Sequence, residues 1–422
     1  MYLGIDFGTS GCRAIVIDSN QQIITDARLS LSPASDIGNR KQQDATNWID
    51  SLQQLINLLA QKTDLKAIKR IAIDGTSGTL IACDFEGKAL HPASMYNDTG
   101  SALNINKIKQ FAPKNHITLS ATSALARAVD LLSKSPSSTL ILNQADYLSN
   151  YLCNQWGFSD YHNCLKLGYD EENQQWPEWI DQIMDPRHLP DVKRPGEVIG
   201  KISPELAQQL GFSKNTEICA GTTDSNAAFL AAANASPASA VTSLGSTLVL
   251  KLLSKKPVSD FRSGVYSHRF GKFWLVSGAS NAGGKVLGQY FTKDELNALS
   301  DKIDISRNTG LNYYPLLEKG ERFPFNDPDK KGVLTPIPND PVIHYQGLLE
   351  GLSKIEKIGY LRFGELGVTP PEIIQTTGGG ANNLNWMKMR ERMIGCPVVK
   401  AIHSEACYGS ARLALRGLSD FC

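Results

Sequence analysis

The stretch that decides the fold is Leu3-Gly4-Ile5-Asp6-Phe7-Gly8-Thr9-Ser10-Gly11-Cys12-Arg13-Ala14-Ile15-Val16-Ile17-Asp18. Apolar runs flank a cluster of Gly, Thr and Ser, a pattern that predicts two β-strands joined by a tight turn. Such a turn presents backbone N–H groups and hydroxyls to a phosphate, and Asp6 is placed to hold Mg²⁺ through water. The same residue types also make ordinary hairpin turns. An ordinary hairpin would leave the Asp6 carboxylate buried without a partner, which is costly. The segment therefore favours a phosphate-binding turn that handles ATP without a P-loop.

A second hairpin pattern over residues 240–251 repeats the first one. Its apolar strands flank the turn Ser243-Leu244-Gly245-Ser246-Thr247. An ordinary structural turn is again the alternative. Because the two hairpins are alike, we interpret the second as another copy of the phosphate-binding device, on a second domain. The predicted domain boundary therefore lies near residue 230.

Composition and charge exclude several classes of protein. The chain has 422 residues, of which 41% are hydrophobic and 20% charged, and its net charge is +1. These values predict a soluble globular protein of two or three domains, with no nucleic-acid or membrane partner. The eight Cys form no Cys-x-x-Cys pair and the seven His show no metal-ligand spacing, so we expect reduced thiols. A strand directly after Met1 leaves no room for a targeting segment, and the expected location is cytoplasmic.

Strand and helix patterns alternate along the chain, which predicts the α/β class. Asp44 is expected to cap a helix, and Ser203-Pro204 and Gly211 carry the signals of a helix start and end. Residues 100–200 are predicted to be helical with many loops, and a loop over 234–239 ends a helix of small residues. Later patterns predict a strand over 373–377 and helices over 341–363, 384–394 and 405–418.

The segment Gly221-Thr222-Thr223-Asp224 places an acid between a predicted strand and a predicted helix. One interpretation is a helix N-cap, a common use of Asp. The other is a general base, because a sugar hydroxyl has a pKa far above neutrality and a carboxylate that accepts its proton assists phosphoryl transfer. The residues alone favour neither interpretation.

Two further glycine-rich segments are candidates for nucleotide contact. Gly378-Gly379-Gly380-Ala381-Asn382-Asn383 would let a flat ligand such as adenine lie against the backbone, or it is a helix-entry loop. Trp386 by itself is typical of core packing.

The second segment resembles a P-loop but lacks its first Gly and its final Ser or Thr, so we reject that motif. Its sequence is Ala279-Ser280-Asn281-Ala282-Gly283-Gly284-Lys285-Val286. Gly283-Gly284 still permits a close approach to phosphate.

Three weaker segments carry polar side chains. Asp74-Gly75-Thr76-Ser77-Gly78 and Tyr96-Asn97-Asp98 have residues that can hydrogen-bond a polyol, although each is also an ordinary turn. Asp160-Tyr161-His162-Asn163 is weaker still. Its His162 is interpreted as a structural hydrogen-bonding residue.

Taken in order, the motifs resemble those of the FGGY carbohydrate kinases from one end of the chain to the other. Each motif is weak alone, but the ordered set is specific. The motifs are Asp6-Phe7-Gly8-Thr9-Ser10, Pro195-Gly196-Glu197-Val198-Ile199-Gly200, Gly221-Thr222-Thr223-Asp224, Leu244-Gly245-Ser246-Thr247, Gly378-Gly379-Gly380-Ala381-x-Asn383-x-x-Trp386 and Glu405-Ala406-Cys407-Tyr408-Gly409-Ser410-Ala411.

This resemblance implies two actin-like, ribonuclease-H-like α/β domains with an active-site cleft between them. Residues 1–231 plus 405–422 would form the sugar-binding domain, and residues 232–404 the ATP-binding domain. Asp224 matches the catalytic base, and Asp6 matches the acid near Mg²⁺, which it would hold through water. The implied site residues are Asp6, Ser10, Gly11, Cys12, Arg13, Ser77 and Asp224 for the sugar, and Thr9, Ser246, Thr247, Gly284, Gly379, Gly380, Ala381, Asn383 and Trp386 for ATP.

Within the family, the chain resembles a compact cyanobacterial and plant subgroup, formerly described as xylulose kinase-like, that is similar to D-ribulose kinase. The usual xylulokinase pattern Trp-x-Asp-x-Arg is replaced here by Tyr96-Asn97-Asp98-Thr99-Gly100. The missing Arg weighs against xylulose as the substrate.

The resemblance implies an enzyme that uses ATP and Mg²⁺ to phosphorylate the terminal hydroxyl of a ketopentose, with D-ribulose giving D-ribulose 5-phosphate. Its expected partners are ATP and a small sugar, in a monomer or homodimer. Xylulose or another sugar or polyol is the alternative substrate. Two alternatives come from other classes: an actin-like ATPase without a sugar substrate, and a catalytically weak sugar sensor, against which the intact Asp6 and Asp224 argue.

Overall fold

The computed structural model describes residues 1–37, 40–99, 101–120, 122–233, 236 and 238–421. The chain divides into two compact units. The N-terminal unit comprises Met1–Ala231 and Glu405–Asp420, and the C-terminal unit comprises Ala232–Ser404 and the residues after Asp420. Over the described residues, we find no helix with the length and apolarity that a bilayer crossing requires.

The N-terminal unit contains three sheets and several helices. Its strands are β1 (Tyr2–Phe7), β2 (Gly11–Ile17), β3 (Ile23–Ser30), β4 (Ser35–Ile37), β5 (Arg40–Gln43), β6 (Arg70–Gly75), β7 (Leu80–Cys83), β8 (Ala93–Ser94), β9 (Leu140–Asn143), β10 (Phe158–Asp160), β11 (Asp191–Lys193), β12 (Val198–Lys201), β13 (Glu217–Cys219) and β14 (Thr222–Thr223). Its helices are α1 (Ala45–Ala60), α2 (Ile105–Ile108), α3 (Ala124–Leu132), α4 (Gln144–Cys153), α5 (Tyr161–Cys164), α6 (Pro204–Leu210) and α7 (Asp224–Ala232).

The main sheet of this unit has the strand order β12-β13-β6-β1-β2-β3, and β14 also pairs with β6. Strand β1 runs antiparallel to β2 and parallel to β6. A second sheet has the order β4-β5-β8-β7-β9, and β10 pairs with β11. One face of the main sheet carries apolar side chains such as Leu3, Ile5 and Phe7, which pack with α1 in one hydrophobic core.

The C-terminal unit is built on one six-stranded sheet of order β17-β18-β16-β15-β19-β20. Its strands are β15 (Ser239–Leu244), β16 (Leu248–Ser254), β17 (Tyr266–Phe270), β18 (Phe273–Ser280), β19 (Ile373–Thr377) and β20 (Val398–Lys400). Its helices are α8 (Leu287–Tyr290), α9 (Lys293–Ser300), α10 (Pro341–Glu365) and α11 (Leu384–Ile394).

The two main sheets share one topology. In each, a hairpin (β1–β2 or β15–β16) is extended by a further antiparallel strand (β3 or β18). The first strand of each hairpin also pairs in parallel with a later strand, β6 or β19. The chain therefore contains the same supersecondary unit twice, with a Gly-containing turn at each hairpin.

The last helix, α12 (Ala406–Arg416), packs against β1, β2 and β6 in the N-terminal unit. This packing depends on glycine at two contact points. A Cβ added at Gly4 of β1 would lie 2.0 Å from the Cys407 carbonyl oxygen, and one added at Gly409 would lie 1.9 Å from the Ala227 carbonyl oxygen. The helix backbone therefore lies directly on its neighbours, and α12 covers the face of β1 that carries Asp6.

Several local predictions are confirmed. The Asp44 side chain accepts a hydrogen bond from the Thr46 N–H at the start of α1, and Ser203 and Gly211 bound α6 as expected. The prediction for residues 100–200 is wrong in part, because this stretch also contains strands β9 to β12. A short buried apolar run such as β9 cannot be distinguished from a buried helix by its periodicity. Residues 234, 235 and 237 of the predicted loop lie outside the described residues.

Candidate active site

Three acids come together at one edge of the main sheet in the N-terminal unit. Parallel strands β1 and β6 place Asp6 beside Asp74, and β14 places Thr222 on the other side of Asp74. Asp224 follows β14 directly and begins α7. Because all three strands run in the same direction, their carboxyl ends meet at this edge, where α/β proteins usually bind ligands.

The carboxyls of Asp6 and Asp74 influence one another. Burial raises the pKa of Asp6 to about 6; hydrogen bonding with Asp74 opposes this shift, whereas the nearby Asp224 carboxylate adds to it. Asp74 is fully buried, and burial together with the Asp6 charge raises its pKa well above the usual range. The Ser410 hydroxyl of α12 donates to Asp74 Oδ2 at 2.6 Å. Helix α12 therefore makes a direct hydrogen bond to one of the three acids.

Arg13 lies across the hairpin from Asp6 and forms an ion pair with Glu405 at the start of α12. Asp6 and the turn border a cavity of about 400 Å³ that Ser10, Gly11 and Arg13 also line. Cys12 is also part of the cavity lining, and it is fully buried in the hydrophobic core of this unit. Five of the seven residues predicted to bind sugar thus border one cavity.

The Asp224 carboxylate accepts a backbone hydrogen bond and also lies near Asp6 and Asp74. Its Oδ1 accepts a hydrogen bond from the Ser225 N–H at 2.6 Å. Asp224 is itself the first residue of α7 and accepts from the next N–H, whereas an N-cap residue precedes the helix and accepts from the second or third N–H after it. This contact therefore does not show capping, and the side chain is half-buried. Nearby, His162 is fully buried and its Nδ1 is 2.7 Å from the Thr222 hydroxyl, in agreement with a structural role.

Ser77 lies in the turn after β6, outside the cavity that contains Asp6. Lys166 Nζ donates to its carbonyl oxygen at 3.4 Å. Asp98, in the segment interpreted as a possible polyol site, is instead buried: it accepts from the Ser94 hydroxyl at 2.9 Å and lies 3.3 Å from Arg40 Nε. That carboxylate is occupied by protein groups. Gly100 lies outside the described residues.

A cavity of about 950 Å³ in the C-terminal unit brings together most of the residues predicted to bind ATP. Three segments provide glycines to its wall: the loop after β19, the start of the helical turn after β18, and the β15–β16 turn. The predicted residues that line it are Ser246, Gly284, Gly379, Gly380, Asn383 and Trp386. Thr247 lines an adjoining cavity of about 210 Å³ instead, together with Ser246. Thr9 is an exposed residue of the N-terminal unit.

Three of the residues predicted to bind ATP are buried or hydrogen-bonded to other protein groups. Trp386 is 3% exposed and its indole N–H donates to the Ser353 hydroxyl at 2.9 Å. Ala381 is buried. Asn383 Oδ1 caps α11 through the Trp386 N–H, and its Nδ2 donates to the Tyr345 hydroxyl at 2.9 Å. These side chains shape the cavity wall, and Gly380 fits only because it has no Cβ, which would lie 2.6 Å from the Trp386 ring.

Parts of this arrangement were not predicted from the sequence. Asp74 was expected in a turn able to hydrogen-bond a polyol and not beside Asp6, and no role was predicted for Glu405 or Ser410. The signal for Asp74 was available, because an acid ends a buried strand there as at Asp6. No local signal identifies Ser410, which lies 336 residues from Asp74 along the chain.

Comparison with known proteins gives the family. Residues 1–231 match the N-terminal domain of the FGGY family of carbohydrate kinases, and residues 240–418 match its C-terminal domain. A xylulose kinase of Staphylococcus epidermidis is 24% identical, with 99% of this chain and 88% of the relative covered. A gluconokinase of Bacillus subtilis is 23% identical, with 98% and 86% covered.

The fold has the same relatives. The crystal structure of a kinase from Brucella ovis, described as a xyloylose kinase, superposes with a TM-score of 0.88 at 22% identity and covers 100% of this chain and 91% of its own. The predicted fold class, a pair of actin-like, ribonuclease-H-like α/β domains, is confirmed. With both family domains matched along nearly its whole length, the chain belongs to the FGGY family of carbohydrate kinases.

Proposed function

We propose that this kinase transfers the γ-phosphoryl group of ATP to the terminal hydroxyl of a ketopentose, with D-ribulose as the preferred substrate and D-ribulose 5-phosphate as the product. The N-terminal unit binds the sugar and the C-terminal unit binds ATP. The observation that carries the proposal is the position of Asp224, half-buried beside Asp6 and Asp74 at the carboxyl edge of three parallel strands. A carboxylate at that place can take a proton from a bound hydroxyl.

Asp224 acts as the general base. As the sugar oxygen forms its bond to the γ-phosphorus, the hydroxyl proton passes to the Asp224 carboxylate and the bond from phosphorus to the β–γ bridging oxygen breaks, so that ADP leaves. The hydrogen bond from the Ser225 N–H holds the carboxylate in one orientation.

Asp6 and its surroundings fit a magnesium ion held through water. The Asp6 carboxyl borders the 400 Å³ cavity, and within the described residues no three His, Cys, Asp or Glu side chains are grouped as direct metal ligands. Oxygen ligation with several waters is the usual coordination of Mg²⁺ in phosphoryl transfer. When bound with ATP, Mg²⁺ offsets the negative charge that develops on the transferred group. Asp6 would hold it, while the Ser410 hydroxyl donates a hydrogen bond to Asp74 beside Asp6.

The nucleotide is assigned to the 950 Å³ cavity of the C-terminal unit. Adenine would lie against Gly379 and Gly380, whose backbone forms part of the wall. Ser246 and Thr247, at the turn of the second hairpin, would contact the phosphates through hydroxyl and N–H groups. Gly284 follows β18 and its N–H donates to the Gly245 carbonyl at 2.8 Å, which places it beside that turn.

D-ribulose is preferred to D-xylulose because of the departure at Tyr96-Asn97-Asp98-Thr99-Gly100, which lacks the Arg of the xylulokinase pattern. D-xylulose is the second candidate, favoured by the relatives described as xylulose kinases. The experiment is an ADP-release assay with saturating MgATP over ketopentoses, aldopentoses, gluconate and glycerol. We expect the highest kcat/KM with D-ribulose. A higher kcat/KM with D-xylulose would contradict the choice of sugar, and ADP release that no compound alters would support an actin-like ATPase.

The pH profile tests the role of Asp6. Because burial raises the pKa of Asp6 from 3.8 to about 6, its carboxylate is lost as the pH falls through that value. We expect kcat/KM to decrease below about pH 6 in the wild-type protein. Arg13 lowers the pKa of Asp6, so Arg13→Gln should move the inflection to higher pH. A profile that is flat over this range in the wild-type protein, or an inflection that Arg13→Gln leaves in place, would contradict this role.

A further inference from the structure

We propose that Glu321 is a positioning residue for ATP: it fixes the end of β18 so that Gly283 and Gly284 support the Ser246–Thr247 turn where the phosphates bind. The inference rests on the proposed function, because it assumes that this turn faces the phosphates of ATP. It adds a residue that belongs to none of the motifs and touches neither substrate.

Glu321 is a buried carboxylate that accepts hydrogen bonds from four protein donors. It is 2% exposed. The Ser280 and Tyr314 hydroxyls donate to Oε2 at 2.7 and 2.9 Å, and the N–H groups of Asn281 and Arg322 donate to Oε1 at 2.6 and 2.9 Å. Burying a carboxylate is costly unless its oxygens are satisfied, and here all four contacts come from groups with no charge. Such a group holds its donors rigidly.

Two of these donors lie where β18 ends. The Ser280 Oγ that donates to Glu321 also accepts from the Ala282 N–H at 3.0 Å. The Ala282 carbonyl in turn accepts from the Leu248 N–H at 2.8 Å, at the first residue of β16. Glu321 is thus connected by hydrogen bonds to the hairpin whose turn contains Ser246 and Thr247.

The next two residues touch the turn itself. A Cβ added at Gly283 would lie 2.4 Å from Thr247 Cα and 2.5 Å from the Ser246 carbonyl oxygen. The Gly284 N–H donates to the Gly245 carbonyl at 2.8 Å. The contact leaves no space between the two backbone segments, so a shift at Ser280 or Asn281 moves the turn. Loss of Glu321 should therefore change the geometry of the phosphate contacts without removing one of them.

A purely structural role is the competing explanation, and the same unit provides a matched control. Glu350 of α10 is also a buried carboxylate. It accepts from the Thr309 N–H at 3.0 Å, the Thr309 hydroxyl at 2.6 Å and Gln346 Nε2 at 3.0 Å. None of these partners belongs to the turn or to β18. Glu350→Gln should therefore affect stability but not nucleotide affinity.

A second pair of variants covers the case in which Glu321→Gln does not fold. Ser280→Ala and Tyr314→Phe each remove one hydroxyl donor to the same carboxylate oxygen. Only Ser280 also belongs to the strand end and contacts Ala282. If Glu321 acts through that strand end, Ser280→Ala should weaken nucleotide binding and Tyr314→Phe should leave it unchanged.

The test measures the dissociation constant of ADP by calorimetry for the wild-type protein and the four variants, with KM for ATP and for the sugar. We expect Glu321→Gln and Ser280→Ala to raise the ADP dissociation constant and KM for ATP by about tenfold, with less than about twofold change in KM for the sugar. Glu350→Gln and Tyr314→Phe should bind ADP as the wild type does. If Glu321→Gln and Ser280→Ala bind ADP with the wild-type dissociation constant, this inference is overturned but the proposed function is not. A wild-type protein that binds no adenine nucleotide would overturn the proposed function as well.

Discussion

Replacing Asp224 with Asn is expected to lower kcat for sugar phosphorylation by about 10²–10⁴-fold. The amide cannot accept the hydroxyl proton, but its oxygen can still accept the Ser225 N–H, so the start of α7 should be retained. ADP should bind as in the wild-type protein, because the nucleotide is assigned to residues of the C-terminal unit. The measurements are steady-state ADP release with sugar and calorimetry with ADP.

Asp44→Asn is the matched control for this variant. Asp44 also accepts a backbone N–H at a helix start in the N-terminal unit, at 2.9 Å from Thr46, but it lies at α1 and away from the three acids. We expect Asp44→Asn to keep nearly full activity. Comparable turnover in Asp224→Asn and Asp44→Asn would contradict the assignment of Asp224 as the base and leave it a structural residue at the start of α7.

The largest effect on stability is expected from Arg390→Met. Arg390 of α11 and Glu356 of α10 form an ion pair with side chains that are 0% and 1% exposed. Both guanidinium contacts to the carboxylate are 2.6 Å, and Arg390 also donates to the Thr376 hydroxyl of β19 at 2.9 Å. Removing the cation leaves a buried carboxylate without its positively charged partner, which costs about 3–5 kcal/mol of unfolding free energy.

Arg362→Met makes the same chemical change at an exposed pair. Arg362 contacts Glu365, and the two side chains are 32% and 61% exposed, so water screens the interaction. We expect a loss of less than about 1 kcal/mol there. Urea unfolding followed by fluorescence gives both values. Equal losses for Arg390→Met and Arg362→Met would show that the buried pair contributes no more than a surface pair.

The sequence predicted the local elements well where periodicity and capping agree. Both hairpins, the α1 cap at Asp44 and the end of α6 at Gly211 need only neighbouring residues for their prediction, and all are present. Strands β8 and β9 in the second sheet of the N-terminal unit were missed, because they are only 2 and 4 residues long. Their pairing partners are distant in sequence, and short apolar segments carry no distinctive period.

For the candidate site, the sequence identified single residues but not their partners. Asp6 was predicted from the chemistry of an acid at a strand end, and Asp224 was assigned as the base through the family resemblance. The structure brings both close to a third acid, Asp74. The contacts of Ser410 with Asp74 and of Glu405 with Arg13 join the two ends of the chain. Such contacts depend on where α12 packs, which no local pattern determines. The same holds for Glu321, whose role is apparent only from its four donors.

The central claim is that phosphate passes from ATP to the terminal hydroxyl of a ketopentose. The most direct measurement follows the γ-phosphate of labelled ATP during incubation with Mg²⁺ and D-ribulose, with ³¹P NMR of the product. We predict that the label appears in a pentulose monophosphate whose phosphorus couples to the C5 protons, and that Asp224→Asn makes almost none of it. Label released only as inorganic phosphate, at a rate that D-ribulose does not change, would contradict the account.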